Sequence, residues 1–306
     1  MSTPRDNNSR EAEAAVKNCY STWADNYHRD AYTEKAAYPP VHETLVHKLL
    51  VGAGVRNVLD AGCGPASMLR GLAGLGIELF GFDLTPEMVQ EARRVMVPLG
   101  VPEGQIWEGS VADSAAFRVP ETGLADFDAA ICVGVFPHVP MELEDAALAN
   151  LHAAVRPGGL VVVEARNQLF ALFTLNRYSH QFFLDDLVRA DELFKGEPES
   201  VRRRVLDEVG QGFRLDLPPV RGGKSGEPGY DEVLSRTHNP LVFREKFAAA
   251  GFRDVRVLFY HYHCLPPLCE KSAPELFRQR SMAMEDPQDW RGYFMASAFV
   301  VTGIRA

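Results

Sequence analysis

Two acidic residues bracket a glycine-bearing turn in this chain of 306 residues. Asp60-Ala-Gly62-Cys63-Gly64 follows a short apolar run, and Asp83 stands nineteen residues after Gly64. Two glycines so close together let a ligand approach the backbone. The first N–H groups of the next helix are then presented to the same ligand. A carboxylate at the end of a second strand, where Asp83 falls, accepts both hydroxyls of a ribose. This is a nucleotide-type crevice, and a dinucleotide shares most of it. The dinucleotide fingerprint G-x-G-x-x-G/A would read Gly62-x-Gly64-x-x-Ser67 here, with serine in the third small position and the acidic Asp60 ahead of the first glycine. The other residues able to move protons at neutral pH are histidines. Of nine, His138 after the fourth strand, His238 where the strand–helix pattern resumes, and His261 and His263 near the end of a later strand are the candidate catalytic bases. Alternation along a strand puts His261 and His263 on one face of Phe259-Tyr-His-Tyr-His-Cys264, with Tyr260 and Tyr262 on the other. Such a His-x-His pair, joined by His238, has the ligand types of a metal site. No carboxylate or further histidine is fixed beside it by the sequence, so no metal is expected. The five cysteines are scattered without a CxxC pair, which points to neither a zinc knuckle nor a disulfide framework.

Strand ends must hold these residues in place. Short apolar runs at 57–60, 78–83, 105–108, 127–133 and 160–164 read as strands. Amphipathic stretches at 67–74, 86–96 and 144–155 between them read as helices, and Pro86 suits the first turn of its helix. Two further helices, at 11–26 and 41–50, precede this pattern, and residues 1–10 are expected to be disordered. Strand–helix alternation implies an α/β doubly wound, mostly parallel sheet with helices on both faces. The alternation stops after Arg166. Helices are expected at 182–194 and 198–209, then a loop at 217–229 whose Arg221-Gly-Gly-Lys224 is basic. The pattern resumes with a helix at 241–250, which Asn239 and Pro240 begin as cap and first residue. Strands at 255–263 and 294–304 follow. The expected organisation is an N-terminal helical lid at 1–50, a core at 51–166 and 238–306, and a mainly helical inserted cap at 167–237.

The composition, 46% hydrophobic and 24% charged, suffices for one large core with a small second unit. The formal net charge of −9 supplies no general basic field for phosphate contacts, so no nucleic-acid partner is expected. The polar N-terminus contains no apolar leader, and no run approaches the length of a membrane helix. These features, with the cysteine usage, lead to the expectation of a cytoplasmic protein with no membrane partner.

Val58-Leu-Asp-Ala-Gly-Cys-Gly-Pro65 resembles motif I of the class I S-adenosylmethionine-dependent methyltransferases. Gly81-Phe-Asp-Leu-Thr-Pro-Glu-Met88 resembles their ribose motif, and Gly109-Ser-Val-Ala-Asp113 their adenine-lining segment, where the family often has aspartate at the place of Ser110. Phe127-Asp-Ala-Ala-Ile-Cys-Val-Gly-Val-Phe-Pro-His138 resembles the strand-four motif, and Leu151-His-Ala-Ala-Val-Arg-Pro-Gly-Gly-Leu160 the turn before strand five. Tyr20-Ser-Thr-Trp-Ala-Asp-Asn-Tyr27 resembles the lead-in of small-molecule members. The resemblance covers about residues 18–166 by motif and 238–306 by pattern alone. It implies a seven-stranded Rossmann-like sheet and S-adenosylmethionine as cofactor.

By that resemblance Gly62, Cys63 and Gly64 face the methionine portion, and Asp60 orients its amino group. Asp83 binds the ribose. Leu84 and Met88 pack on adenine, with Ser110 and Val111 opposite, while Val133 and Gly134 turn carbonyls toward the methionyl group. Tyr20 and Tyr27 belong to the lid and contact the cofactor from it. The segment from Arg166 to Tyr178 leaves the ligand edge of the sheet, so Arg166, Asn167, Asn176, Arg177 and Tyr178 are the candidate substrate-binding residues. The implied activity is methyl transfer to a small molecule, with oxygen favoured over nitrogen or carbon. An acidic or polyhydroxylated metabolite of natural-product biosynthesis is the substrate class, and a homodimer the oligomer to test. The alternatives are an NAD(P)-dependent oxidoreductase and a non-catalytic S-adenosylmethionine-binding protein.

Overall fold

The computed structural model describes residues 7–24, 26–33, 39–219 and 233–306. Seven strands form one sheet: β1 (Asn57–Ala61), β2 (Glu78–Asp83), β3 (Ile106–Glu108), β4 (Phe127–Cys132), β5 (Val155–Arg166), β6 (Phe252–Tyr262) and β7 (Ala296–Arg305), in the order β3-β2-β1-β4-β5-β7-β6. β1 pairs in parallel with β2 and β4, β2 with β3, and β4 with β5. All six residues of β4 are buried, as are Val161, Val162 and Val163 in succession on β5. Consecutive burial means that both faces of the sheet are covered, as a parallel sheet with flanking helices requires.

β7 runs against its neighbours. Its early residue Ser297 accepts from Asn167 N just past β5, while Arg305 at its far end donates to Val155 O where β5 begins. Ser297 also reaches His261 O near the end of β6, and Gly303 abuts Phe252 at its start. The expectation of a mostly parallel, doubly wound seven-stranded sheet thus describes the molecule, with β7 as the reversed strand.

The expected strand at 160–164 is longer in the structure. Phe127 pairs with Val155 and Ala129 with Leu160, so Arg156-Pro-Gly-Gly159 bulges out of a strand that continues on both sides. Gly158 takes a φ of +78°, which a residue with a side chain resists. The expected helix at 67–74 shortens to Ser67–Arg70, and the first helix begins at Asn7, inside the stretch expected to be disordered. Residues 1–6 of that stretch, residues 220–229 of the expected loop and the basic Arg221–Lys224 segment lie outside the described residues.

The chain divides into two compact units. One takes the described residues of Met1–Arg166, Gly222–Leu258 and Phe299–Ala306; the other takes those of Asn167–Arg221 and Phe259–Ala298. The second unit therefore holds more than the expected insertion at 167–237. The segment between β6 and β7 belongs to it too, including the helix Pro274–Met282, which the strand–helix pattern did not register. No helix among the described residues is long and apolar enough to cross a membrane.

Candidate functional site

The first unit carries a cleft at the carboxyl ends of β1, β2 and β4. β1 delivers Asp60 to its floor with 1% of the residue exposed. Both carboxylate oxygens are buried and find no hydrogen-bond partner among the described residues. Burial, and after it the charge of Asp83, push this carboxyl up to about 8. An unpartnered buried carboxyl costs free energy, so a ligand cation brought to it is bound favourably.

The turn after β1 is tied to β2: the N–H groups of Gly62 and Cys63 both donate to Phe82 O, at 2.8 and 2.9 Å. Gly62 has a φ of +88°, and a Cβ there would collide with Val135 Cγ2. Only glycine fits that position. Asp83 closes the turn from the other side. Its two oxygens accept from Gly64 N at 2.8 Å and from Thr85 N at 2.9 Å. Burial raises the Asp83 carboxyl while these backbone N–H groups pull it back down. The Thr85 hydroxyl and the Leu84 N–H lower it further.

All thirteen of the candidate cofactor residues line this cleft, from Tyr20 and Tyr27 through Asp60, Gly62, Cys63, Gly64, Asp83, Leu84, Met88, Ser110 and Val111 to Val133 and Gly134. Gly134 N donates to the buried Glu164 at 2.6 Å, which sets the turn after β4. Tyr20 comes from the helix Asn7–Ser21, and Tyr27 begins the helix Tyr27–Tyr32.

His138 lines the same cleft. Its Nδ1 lies 2.6 Å from Leu234 O, and its Nε2 lies 2.9 Å from the Tyr20 hydroxyl. A carbonyl oxygen has no proton to give, so Nδ1 carries the hydrogen. In the neutral ring Nε2 then accepts from Tyr20. Burial holds the pKa of His138 below that of an ordinary imidazole, and the nearby positive charge of Arg166 acts in the same direction.

The structure places the other three histidines differently. His238 is buried, and its Nε2 sits 2.6 Å from Glu144 Oε1. Arg236 and Lys246 reach the same carboxylate, which is 2% exposed. Burial opposes the charge on Glu144, but the hydrogen bonds from His238 and Lys246 and the surrounding positive charge hold it at about 2. His238 is thus part of a buried ion cluster that fastens the segment 236–246 to the helix Met141–Ala154, and does not line the cleft.

His261 and His263 lie in the second unit, with ring centroids 5.5 Å apart. The pairing expected of them holds, but His261 takes a φ of +65° and β6 ends at Tyr262, so it is a bent strand end that brings them together. His263 packs between Phe170 and Phe277, and burial lowers its pKa to about 4. No group of three or more potential metal ligands occurs among the described residues.

Of the candidate substrate residues, Arg166 belongs to the first unit and donates to Ser235 Oγ. Asn167 is buried in the second, with Nδ2 facing the carbonyls of Gly292, Tyr293 and Ala296 at 2.8–3.1 Å and Oδ1 accepting from Leu169 N. Asn176 caps the helix Arg177–Phe182 through Tyr178 N and also accepts from Thr174. Both asparagines therefore hold backbone, a correction to the expectation that they bind substrate. Asn167→Ala is expected to lower unfolding free energy by about 2–3 kcal/mol, because buried carbonyls lose their donor. Denaturant titration checks this; unchanged stability with a raised substrate KM would restore the binding role. The Arg177 guanidinium lies 5.1 Å from the centroid of the half-exposed Tyr178 ring, again within the second unit.

Glu13, Val16 and Tyr32 also line the cleft and were not among the expected residues. A signal for the first two was present: Glu13, Val16 and Tyr20 follow the i, i+3, i+7 spacing of one helix face. Tyr32 carries no comparable mark, since short helices have no measurable period.

The buried, unpartnered oxygens of Asp60 and the carboxyl of Asp83, on either side of a glycine turn, are of the kind that fits the ammonium and ribose of S-adenosylmethionine. Comparison with known proteins agrees. A family described as "Methyltransferase domain" matches residues 58–159. A ubiquinone biosynthesis O-methyltransferase of Alkalilimnicola ehrlichii is 33% identical over 236 residues, covering 73% of this chain and 80% of that protein. Another so named, from Xanthomonas axonopodis pv. citri, is 34% identical over 140 residues; there the match covers 45% of this chain and 54% of the relative, about half its length. The crystal structure of magnesium protoporphyrin IX methyltransferase from Synechocystis with bound S-adenosylhomocysteine is similar in fold. Its TM-score is 0.50 at 17% identity, with 96% of this chain and all of that chain covered.

Proposed function

Because the chain belongs to the family of S-adenosylmethionine-dependent methyltransferases, with S-adenosylmethionine as its cofactor, we propose that it methylates a hydroxyl oxygen of a small-molecule acceptor. The observation that carries the choice of oxygen is the chain of hydrogen bonds Tyr20–His138–Leu234 in the cleft wall. A hydroxyl must lose its proton as it is methylated, and the wall contains a neutral imidazole nitrogen poised to receive one through a phenol. The O-methyltransferase names of the relatives support the same reading.

Asp60 would hold the amino group of the cofactor, Asp83 its ribose, and the backbone from Gly62 to Gly64 would run beside the methionine portion. When bound, S-adenosylmethionine supplies a methyl group already activated on sulfonium. The protein's work is then alignment and proton removal. Tyr20 accepts the acceptor's hydroxyl hydrogen bond and passes its own proton to His138 Nε2, while Leu234 O keeps the imidazole in the required tautomer. Val139, Pro140 and Leu143 give the adjoining wall an apolar surface that excludes water.

Arg166 lies close enough to His138 for its charge to be felt there. That positive field suits an acceptor with a carboxylate or several acidic hydroxyls, the acidic or polyhydroxylated class of a natural-product tailoring enzyme. The test is calorimetry with S-adenosylmethionine and with NAD, followed by transfer of isotopically labelled methyl to a panel of polyhydroxylated aromatic acids. The expected result is binding of S-adenosylmethionine alone and label on oxygen in the product. Tight NAD binding, or label on nitrogen or carbon only, would overturn the reading.

A further inference from the structure

Ser110 and Glu13 meet in the wall of the cleft that carries Asp83. The Ser110 hydroxyl donates to Glu13 Oε1 at 2.6 Å and accepts from Ala112 N at 3.2 Å. A hydroxyl has one proton, so that of Ser110 is committed to the carboxylate. Glu13 comes from the helix Asn7–Ser21, 97 residues away in the chain.

The order of elements fixes what lies here. Asp83 ends β2, Leu84 follows it, and β3 runs alongside with Asp83 paired to Glu108. Gly109 to Ala112 therefore leave the sheet beside the residue that would take a ribose. Leu84, Met88 and Val111 would hold the base of a nucleoside whose ribose is taken by Asp83, and Ser110 with Glu13 are the polar side chains beside them in the cleft wall. The 6-amino group of adenine is a donor and needs an acceptor. Ser110 has given its proton to Glu13 and offers only a neutral oxygen, whereas the Glu13 carboxylate is the charged and stronger acceptor.

We propose that Glu13 reads the 6-amino group of adenine and that Ser110 positions it. This rests on the S-adenosylmethionine reading above and gives it a specificity determinant supplied by the N-terminal helix. A carboxylate facing position 6 favours an amine, and it repels the carbonyl oxygen of a hypoxanthine base. A glutamine in the same place offers both an acceptor and a donor, so it tolerates either base.

The test is calorimetry of S-adenosylhomocysteine and S-inosylhomocysteine with the wild type, Glu13→Gln, Glu13→Ala and the double variant Glu13→Ala/Ser110→Asp. The wild type is expected to prefer the adenosyl ligand by roughly tenfold to a hundredfold, the worth of one charge-assisted hydrogen bond. Glu13→Ala should lose about tenfold in adenosyl affinity, and its preference should shrink to within about threefold. Glu13→Gln should gain affinity for the inosyl ligand, and Ser110→Asp should restore the preference in the Glu13→Ala background. The restoration also shows that loss in the single variant is not misfolding. Wild-type binding with the same preference in Glu13→Ala overturns the role of Glu13 alone. Failure of the wild type to bind either ligand overturns the cofactor reading with it.

Discussion

Asp60→Asn will weaken S-adenosylhomocysteine binding by roughly tenfold to a hundredfold, the 1.5–3 kcal/mol of a hydrogen bond to a charged group. It will also flatten the pH dependence of that binding. The wild-type carboxyl is 1% exposed, has no partner for either oxygen among the described residues, and titrates at about 8 because of burial and then of Asp83. Its folded pKa is raised, so near neutral pH the ligand-free carboxyl carries a proton. A ligand ammonium binds the ionised form, and the proton must leave on binding. Affinity therefore rises with pH toward about 8, by at most tenfold per unit. The amide of Asp60→Asn has no proton to release. Calorimetry between about pH 5.5 and about pH 7.5, where an α-ammonium stays largely charged, in two buffers of different ionisation enthalpy, reads affinity and proton release together. Flat wild-type affinity with no proton released would sink the assignment.

The sign has a consequence for stability as well. A carboxyl with a raised folded pKa favours the folded state while it is protonated there. That advantage fades as pH rises from the ordinary carboxyl range toward 8, because the unfolded chain ionises first. The ligand-free protein is thus expected to lose stability over the pH range in which its cofactor binds best. The opposite trend belongs to Glu144, held at about 2, whose pairing with His238, Arg236 and Lys246 stabilises the fold above the ordinary carboxyl range and is lost as pH falls through its lowered value.

How legible each of these was depends on distance along the chain. The turn from Asp60 to Gly64 is built from neighbours, and its glycines mark the left-handed backbone that the turn adopts at Gly62 and Gly64. β2 and the helix Pro86–Met96 appear with the expected bounds, because Asp83, Pro86 and the apolar spacing between them are local signals. The run Arg156-Pro-Gly-Gly159 misled for the same reason: locally it is a breaker, yet pairing with β4 on either side carries the strand through. Glu144 with His238 is separated by 94 residues and His138 with Leu234 by 96, and no period or motif announces either pair. So His238 read as a base where it is a hydrogen-bond partner of Glu144, and Tyr20 read as a cofactor contact with nothing to join it to His138. The two asparagines failed likewise. Their side chains suit a polar ligand and a backbone carbonyl equally, and only the fold decides which is near.

The separation of His138 from the other histidines yields the largest kinetic effect expected of any single change. Of the four, His138 alone lines the cleft with its hydrogen bonds specifying a tautomer. General-base catalysis contributes about 10²- to 10⁴-fold, so His138→Ala should lower kcat by that factor while S-adenosylhomocysteine affinity stays within about threefold. Tyr20→Phe removes the hydroxyl through which the proton passes and should cost about 10²-fold. If the two act as one relay, the double variant should be little slower than His138→Ala alone. The pH profile separates this role from a structural one. Burial lowers the pKa of His138, so the wild-type rate should fall on the acid side only below the ordinary imidazole value of about 6.5. That acid limb should vanish in His138→Ala, and added imidazole should restore part of the rate. Full activity in both single variants, or an acid limb that survives the loss of His138, would move the base elsewhere. His263 is a poor candidate on this count. Packed between Phe170 and Phe277 and lowered to about 4, it has little tendency to take a proton near neutral pH, and His263→Ala should change kcat less than His138→Ala by at least about tenfold.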